Sequence, residues 1–406
     1  MEAISTRCCV AGGGPAGMML GFLLARAGVE VVVLEKHADF LRDFRGDTIH
    51  PSTLEIMYEL GILDAFLKLP HHEARVLEAQ FGDIRLPFAD FTHLPTHCKF
   101  LAFMPQWDFL NFLAEKGANY RAFHLRMNAE VTDLIEEAGH IAGVRVTTSN
   151  GLLEVRANLV VGADGRGSLV REKAGLKVDE FGAPMDVLWF RMRRVPGDPE
   201  QTAGRIEVGH IFIMINRGDE WQLGFVIPKG SAEQVRQRGM PAFRQTLVAL
   251  APFLHDRVSE LCDWKEIKLL TVRVNSLSKW YRSGLLCIGD AAHAMSPVGG
   301  IGINLAIQDA VATANALAAP LSDGRLMMSD LRKVQRRRQF PTHLTQRFQL
   351  AIQDRVIKRT LERPFTGTTA GIRPPLIFQL VRQFPAIRRL NARLIGLGFR
   401  PEHVRI

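Results

Sequence analysis

Three glycines in the spacing Gly12-x-Gly14-x-x-Gly17, with an acid at Glu35 at the end of the next apolar run, are the first residues placed to do chemistry. Gly12 permits a tight turn, Gly14 lets a pyrophosphate approach the backbone, and Gly17 lets a helix and a strand pack closely. The helix opened by Pro15 and Ala16 offers free N–H groups and a partial positive charge to phosphate oxygens. Glu35, with Lys36 beside it, can accept hydrogen bonds from a ribose diol. A carboxylate there disfavours a 2′-phosphate, so the turn is expected to take NAD or FAD rather than NADP.

Two later segments separate NAD from FAD. The first is Val160-Val161-Gly162-Ala163-Asp164-Gly165-Arg166-Gly167-Ser168, and the second runs from Leu285 through Gly289-Asp290 to Pro297 and the glycine-rich Gly299-Gly300-Ile301-Gly302-Ile303-Asn304. In the second, a buried strand ends at Gly289 and Asp290 projects from its carboxyl end, where ligands of open α/β sheets bind. A carboxylate at that place suits a ribityl hydroxyl. The glycine-rich turn leads into a helix expected over about 303–317. Its first amides could face the N1–C2=O edge of an isoalloxazine and stabilise negative charge there.

These groups need elements to carry them. Cys8-Cys9-Val10-Ala11 reads as a buried strand, Met18 to Ala27 as a helix ended by Gly28, and Val29 to Leu34 as a parallel strand covered on both faces. Together they make a βαβ unit. Val187 to Arg193, Arg205 to Ile215 and Trp221 to Ile227 read instead as antiparallel strands, broken by Pro196-Gly197-Asp198-Pro199 and Arg217-Gly218-Asp219. The expected class is α/β, a Rossmann-like FAD-binding domain with an inserted antiparallel β-sheet substrate domain and a helical C-terminal region. The boundaries drawn are 1–72, 98–182 and 271–324 for the discontinuous FAD part, 73–97 and 183–270 for the sheet, and 325–406 for the basic helical region. In that last region Leu344, Phe348, Ala351 and Ile352 fall on one helical face.

The 406 residues are 47% hydrophobic and 23% charged, ordinary for a globular chain long enough to bury a large core. No run of 18 apolar residues appears, and no secretion signal is read at the N-terminus. Five cysteines, odd in number and without metal spacing, suit a reduced cytoplasmic interior and predict no metal site. From Arg325 onward, 18 basic and 4 acidic residues give +14, which leaves −5 for residues 1–324. A slightly acidic body argues against nucleic acid as a partner.

In order and spacing, these three segments resemble those of the group A FAD-dependent monooxygenases, the para-hydroxybenzoate hydroxylase-like aromatic hydroxylases. The likeness covers residues 12 to 304, about three quarters of the chain. It implies non-covalent FAD, NADH or NADPH as a transient reductant, and O2. It also implies a flavin C4a-hydroperoxide that hydroxylates an aromatic or quinone-like small molecule. It carries FAD contacts to Arg45, in Arg45-Gly46-Asp47-Thr48-Ile49-His50-Pro51, and to Gln106. Asp164 becomes a nucleotide-site residue and Asp290 the ribityl contact, with Pro297 and Gly299 to Asn304 beside the flavin ring.

Substrate residues are less determined. The three tyrosines, Tyr58, Tyr120 and Tyr281, all lie outside the expected β-meander, which argues against a tyrosine relay. His210 could act as a base near neutral pH or be an exposed strand residue. Trp189, Arg191 and Arg193 share one strand face, where either arginine could hold an anionic substrate or be solvated. Phe212 and Phe225 fit a core or a pocket wall, and His293 reads as scaffolding near the cofactor. Around Arg382, Arg388, Arg389 and Arg393, the residues Ile377, Leu380, Val381, Phe384, Ile387, Leu390 and Leu394 follow helical spacing, which Pro385 divides in two. These helices fit either a layer on the FAD domain or peripheral contact with an anionic membrane. Two alternatives share the fold. Pro228-Lys229 would suit a flavin-dependent double-bond reductase, and a non-catalytic flavoprotein needs no substrate pocket. Leu223 and Phe225 stand where flavin halogenases carry tryptophans, which counts against halogenation.

Overall fold

The computed structural model describes residues 2–41, 48–82, 84–200, 202–362, 374 and 381–406. The strand Glu2–Ala11 is polar at its outer end and buried from Cys8 onward. It lies between Val31–Leu34 and Gly151–Gly162, parallel to both. A strand in that place is covered on both faces, which is why Cys8, Cys9 and Val10 are wholly buried. Phe123–Arg126 and Leu285–Cys287 extend the parallel set on either side. A hairpin, Ala129–Glu137 and His140–Thr148, pairs antiparallel with the first half of Gly151–Gly162. The helices Pro15–Arg26, Gln106–Ala118 and Ile301–Ser322 share the core with this eight-stranded sheet. The last of these begins two residues before the expected start and continues five past the expected end.

A second sheet of seven strands runs in the order Lys268–Leu270, Met185–Arg193, Glu220–Pro228, His210–Asn216, Ala203–Glu207, Val76–Phe81 and Ile84–Asp90. All neighbours are antiparallel except Ala203–Glu207 and Val76–Phe81. The single strand expected over 205–215 is two. Glu207 pairs with His210 across Val208-Gly209, and Gly209 takes the positive φ of 75° that such a tight hairpin demands.

The C-terminal region holds a second correction. The helix Met328–Ile352 continues as a wider π-turn through Gln353–Lys358. Leu344, Phe348, Ala351 and Ile352, expected as its packing face, are only half-buried. The buried positions are instead Asp330, Leu331, Val334, Gln335, Arg338, Pro341, Thr342, Thr345, Gln346 and Gln349. Pro385 opens the helix Pro385–Gly396, as its fixed φ favours at a first turn. That helix docks through Ala392 and Ile395, with Asn391 donating to the Phe88 carbonyl at 2.9 Å. Ile377 and Leu380 lie outside the described residues. Among the described residues no helix is long and apolar enough to cross a membrane.

Candidate flavin and substrate site

The glycine turn joins Glu2–Ala11 to the helix Pro15–Arg26. A Cβ on Gly12, at φ 109°, would sit 2.4 Å from the Ala163 oxygen, and one on Gly17 would sit 1.9 Å from the Gly12 oxygen. A Cβ on Gly14 would meet nothing within 4 Å, so the outer side of the turn is open. No side chain caps the helix, which leaves its first N–H groups for a ligand. Glu35 is more tied down than its sequence role required. Its carboxylate accepts from the Gly13 N–H and the His37 N–H, both at 3.1 Å. Lys36 is exposed beside it, and Gln106 is the half-buried first residue of the helix Gln106–Ala118. Arg45 lies outside the described residues.

Asp290 sits in a short turn just past Leu285–Cys287, and its carboxylate meets Arg166 at 3.2 Å. Asp164 accepts from the Val170 N–H at 3.1 Å. Burial pushes its carboxyl above the usual range, against the pull of hydrogen bonds from Ser168 and Val170. Pro297 leads to Gly299 and Gly300, both at positive φ, and a Cβ on Gly300 would lie 2.8 Å from Thr48 Oγ1. Gly302 and Ile303 lie in the first turn of Ile301–Ser322, which has no side-chain cap either. Asn304 is buried and fully used. Its Oδ1 accepts from the His50 N–H and from Thr53 Oγ1, each at 2.8 Å, while Nδ2 donates to the Thr48 carbonyl. It therefore stitches residues 48–53 to the glycine-rich loop.

Two buried histidines lie near these loops. His50 donates from Nδ1 to the Ile395 carbonyl at 2.7 Å, and burial pushes its imidazole down to about 4. His293 Nε2 meets Asp309 Oδ2 at 2.5 Å, and that oxygen also accepts from the Gly289 N–H. Asp309 Oδ1 accepts from Arg338 Nε at 2.9 Å, and Arg338 Nη1 donates to Glu402 at 3.2 Å. Burial works to raise the Asp309 carboxyl, and His293 and Arg338 outweigh it and hold the group below the usual range. The scaffold beneath Gly289-Asp290 thus reaches the segment 397–406. Glu402 could have been found only by knowing which residues the fold brings together.

The two faces of the seven-stranded sheet divide the expected substrate residues. The inner face carries Val187, Trp189, Ile211, Ile215 and Val226, which pack with Leu101, Phe103 and the half-buried Ile213 and Val298. The Trp189 ring lies over Gly224, where a Cβ would come within 2.9 Å of it. Arg191 follows on the same face, 3.2 Å from Glu220 and stacked over Trp107 at 5.5 Å. A cleft of about 140 Å³ opens there, lined among others by Arg191, Arg217, Trp107, His72 and Gln222. Arg193, at the strand end, is exposed and pairs with Glu260 at 3.3 Å.

His210, Phe212 and Phe225 lie together, the two phenylalanines as core rather than pocket wall. They alternate onto the outer face, because side chains two apart in a strand share a side. There Phe212 lies with Phe190, and Phe225 packs edge-on against Phe243 of the helix Met240–Leu250. The His210 ring lies 5.4 Å from that of Phe225, and burial with the nearby Arg238 charge pushes it down to about 4. The sheet separates all three from the glycine-rich loop. Lys229, read as a reductase signal, is engaged by Asp186 at 2.7 Å and by the Val272 carbonyl.

Sheet, uncapped helices and carboxylates together define a flavin-dependent oxidoreductase. The model of the FAD binding domain family matches residues 5–347. The chain is 33% identical over 395 residues to 6-methylpretetramide 4-monooxygenase of Streptomyces rimosus, covering 97% of this chain and 93% of that protein. It is 29% identical to rifampicin monooxygenase of Streptomyces venezuelae over 76% of this chain and 63% of that one. The crystal structure of p-nitrophenol 4-monooxygenase PnpA from Pseudomonas putida DLL-E4 matches with TM-score 0.79 at 19% identity, covering 98% and 100% of the two chains. The chain belongs to the group A FAD-dependent monooxygenases. It is an enzyme of that type, using FAD and a reduced nicotinamide, and not the double-bond reductase or non-catalytic flavoprotein held open above.

Proposed function

We propose that the enzyme hydroxylates a multi-ring, largely apolar aromatic compound of polyketide type. The observation that carries this reading is the inner face of the seven-stranded sheet. Trp189 and Ile211, Ile213, Ile215, Val187 and Val226 form an aliphatic wall with one flat ring and no tyrosine. Such a wall binds by area rather than by paired polar groups, which favours a broad fused ring system. The likeness to an enzyme named for 6-methylpretetramide supports the same class. Arg191 is the candidate for an acidic ring oxygen at the rim, with Trp107 beneath it.

FAD is assigned to the open glycine turn, with the uncapped helix amides at its phosphates, Glu35 at the ribose and Asp290 at the ribityl chain. Bound FAD, reduced by a nicotinamide, supplies the activation of O2 and the transfer of one oxygen atom. The chain's own part is to hold that group and orient the ring, while the aliphatic wall keeps out water. We assign 1–72, 98–182 and 271–324 to the flavin unit and 73–97 and 183–270 to the substrate unit. Five unpaired cysteines, four of them buried, support a reducing compartment such as the cytoplasm.

Two measurements test the reading. Anaerobic reduction by NADH or NADPH is followed with one-ring phenols and with three- and four-ring phenolic compounds. Multi-ring ligands should accelerate reduction and then appear as products one 18O heavier under 18O2. Acceleration by one-ring phenols alone would refute the proposed substrate class. Asp290→Ala should yield protein that loses flavin on gel filtration, and full retention would remove its assigned contact.

A further inference from the structure

The helix Met328–Ile352 packs on the flavin side of the molecule with a face that hydrophobic burial does not explain. Gln335, Thr342, Thr345, Gln346 and Gln349, with Gln353 just beyond, are each less than a tenth exposed. Their spacing of three, four and seven residues places them on one side of the helix. Amide side chains cost stability when buried unless their hydrogen bonds are met. The Oε1 atoms of Gln346, Gln349 and Gln353 meet no protein donor among the described residues. Leucines would have served packing at least as well.

The amide donors share a destination. Gln346 Nε2 donates to the carbonyls of Asn275 at 2.7 Å and Ala294 at 3.1 Å. Gln349 Nε2 donates to the carbonyls of Ser296 at 3.0 Å and Val298 at 2.9 Å. Gln353 Nε2 donates to Ser296 Oγ at 2.6 Å. Residues 294–298 connect the Asp290 turn to Gly299 and Gly300. Gln346 and Gln349 therefore grip the backbone of this loop, Gln349 on both sides of Pro297, and Gln353 holds its Ser296 hydroxyl.

We propose that Gln349, backed by Gln346 and Gln353, is a positioning residue for the flavin-facing loop, a reading that rests on the assignment of Pro297–Gly302 to the ring. By turning the Ser296 and Val298 carbonyls onto the helix, Gln349 keeps two negative dipole ends from rotating toward the ring. The N–H groups that open Ile301–Ser322 are then left to meet the charge of the reduced state. Without that grip the reduced form loses stabilisation and the cofactor is held less firmly.

The test uses the full-length holoenzyme with Gln349→Met, which keeps the length and removes the donor. We expect the FAD dissociation constant, read by fluorescence titration, to rise roughly tenfold for two lost hydrogen bonds. The midpoint potential of the bound flavin should fall. A purely structural role would lower the melting temperatures of the apo and FAD-bound forms equally, with affinity and potential unchanged, and that result overturns the proposal. Gly299→Ala, strained at its positive φ, distorts the same loop directly. If Gly299→Ala alters the flavin potential and Gln349→Met does not, the positioning role fails. If neither does, the loop assignment itself is wrong. Should Gln349→Met not fold, Gln353→Met reports on the same grip from its end.

Discussion

On its outer face the seven-stranded sheet packs Phe190 and Phe225 edge-on against Phe243 of the helix Met240–Leu250, with Phe212 stacked on Phe190. On its inner face, the same strands present Trp189 and a run of isoleucines and valines toward Leu101, Phe103 and Val298. Both faces are apolar, and apolarity alone does not tell them apart. The outer face is closed by a helix with interlocking rings, whereas the inner face packs with Ile357, Ala392 and Ile395 from the C-terminal region and borders a cleft edged by Arg191 and Trp107. Under the proposed function, stability and binding fall on opposite sides of one sheet.

Four experiments would break or sharpen that division. Phe212→Ala removes a fully buried outer ring and should cost about 3–5 kcal/mol in denaturant unfolding. The folded fraction should keep its ligand-accelerated reduction, and a lost ligand response at full stability would reverse the assignment. Arg191→Ala should do the opposite, raising KM for a phenolic substrate about tenfold for a lost charge-assisted hydrogen bond. Its melting temperature should stay near that of the wild type.

The third concerns acid. His210 on the outer face and His50 beside the loop are both held neutral down to about 4, against about 6.5 in the unfolded chain. Between those values the unfolded state binds more protons, so stability is full above pH 6.5 and falls as pH drops toward 4. His210→Gln should flatten that decline in thermal scans and leave FAD affinity unchanged. His50→Gln should flatten it and also change FAD affinity; identical behaviour of the two variants would erase the distinction. The smallest effect is expected from tyrosine. Tyr58 stacks on His97, Tyr120 meets Phe22, and Tyr281 accepts from Arg332, all away from the inner face. Replacing each by Phe should leave the pH profile of hydroxylation in place, and a displaced profile would reveal a relay.

The flavin-binding half was legible because its physics is local. A tight turn, an uncapped helix and a strand buried on both faces each leave a mark within a few residues, as Gly12 to Gly17 and Val31 to Leu34 do. The seven-stranded sheet was legible as strands but not as faces. Period two sorts Phe212 from Ile213, yet nothing in the chain says which side meets the helix Met240–Leu250 and which meets Leu101 and Phe103. Arg205 to Ile215 read as one strand because the turn signal, Gly209, is a single residue inside an apolar run. The helix Met328–Ile352 misled for a deeper reason. Amphipathic reasoning sends Leu344 and Phe348 inward and glutamines outward, but the partner here is buried loop backbone that needs donors. Only the fold reveals that demand.

The carboxylate of Asp309 holds the Gly289 amide on one side and Arg338 on the other, and Arg338 depends on Glu402. A nascent chain acquires the glycine turn almost at once and that final counter-charge only hundreds of residues later. Flavin capture should therefore be a late event in biogenesis, and ribosome-stalled chains halted before Glu402 would emerge with their nucleotide groove assembled and their grip on the yellow cofactor still weak.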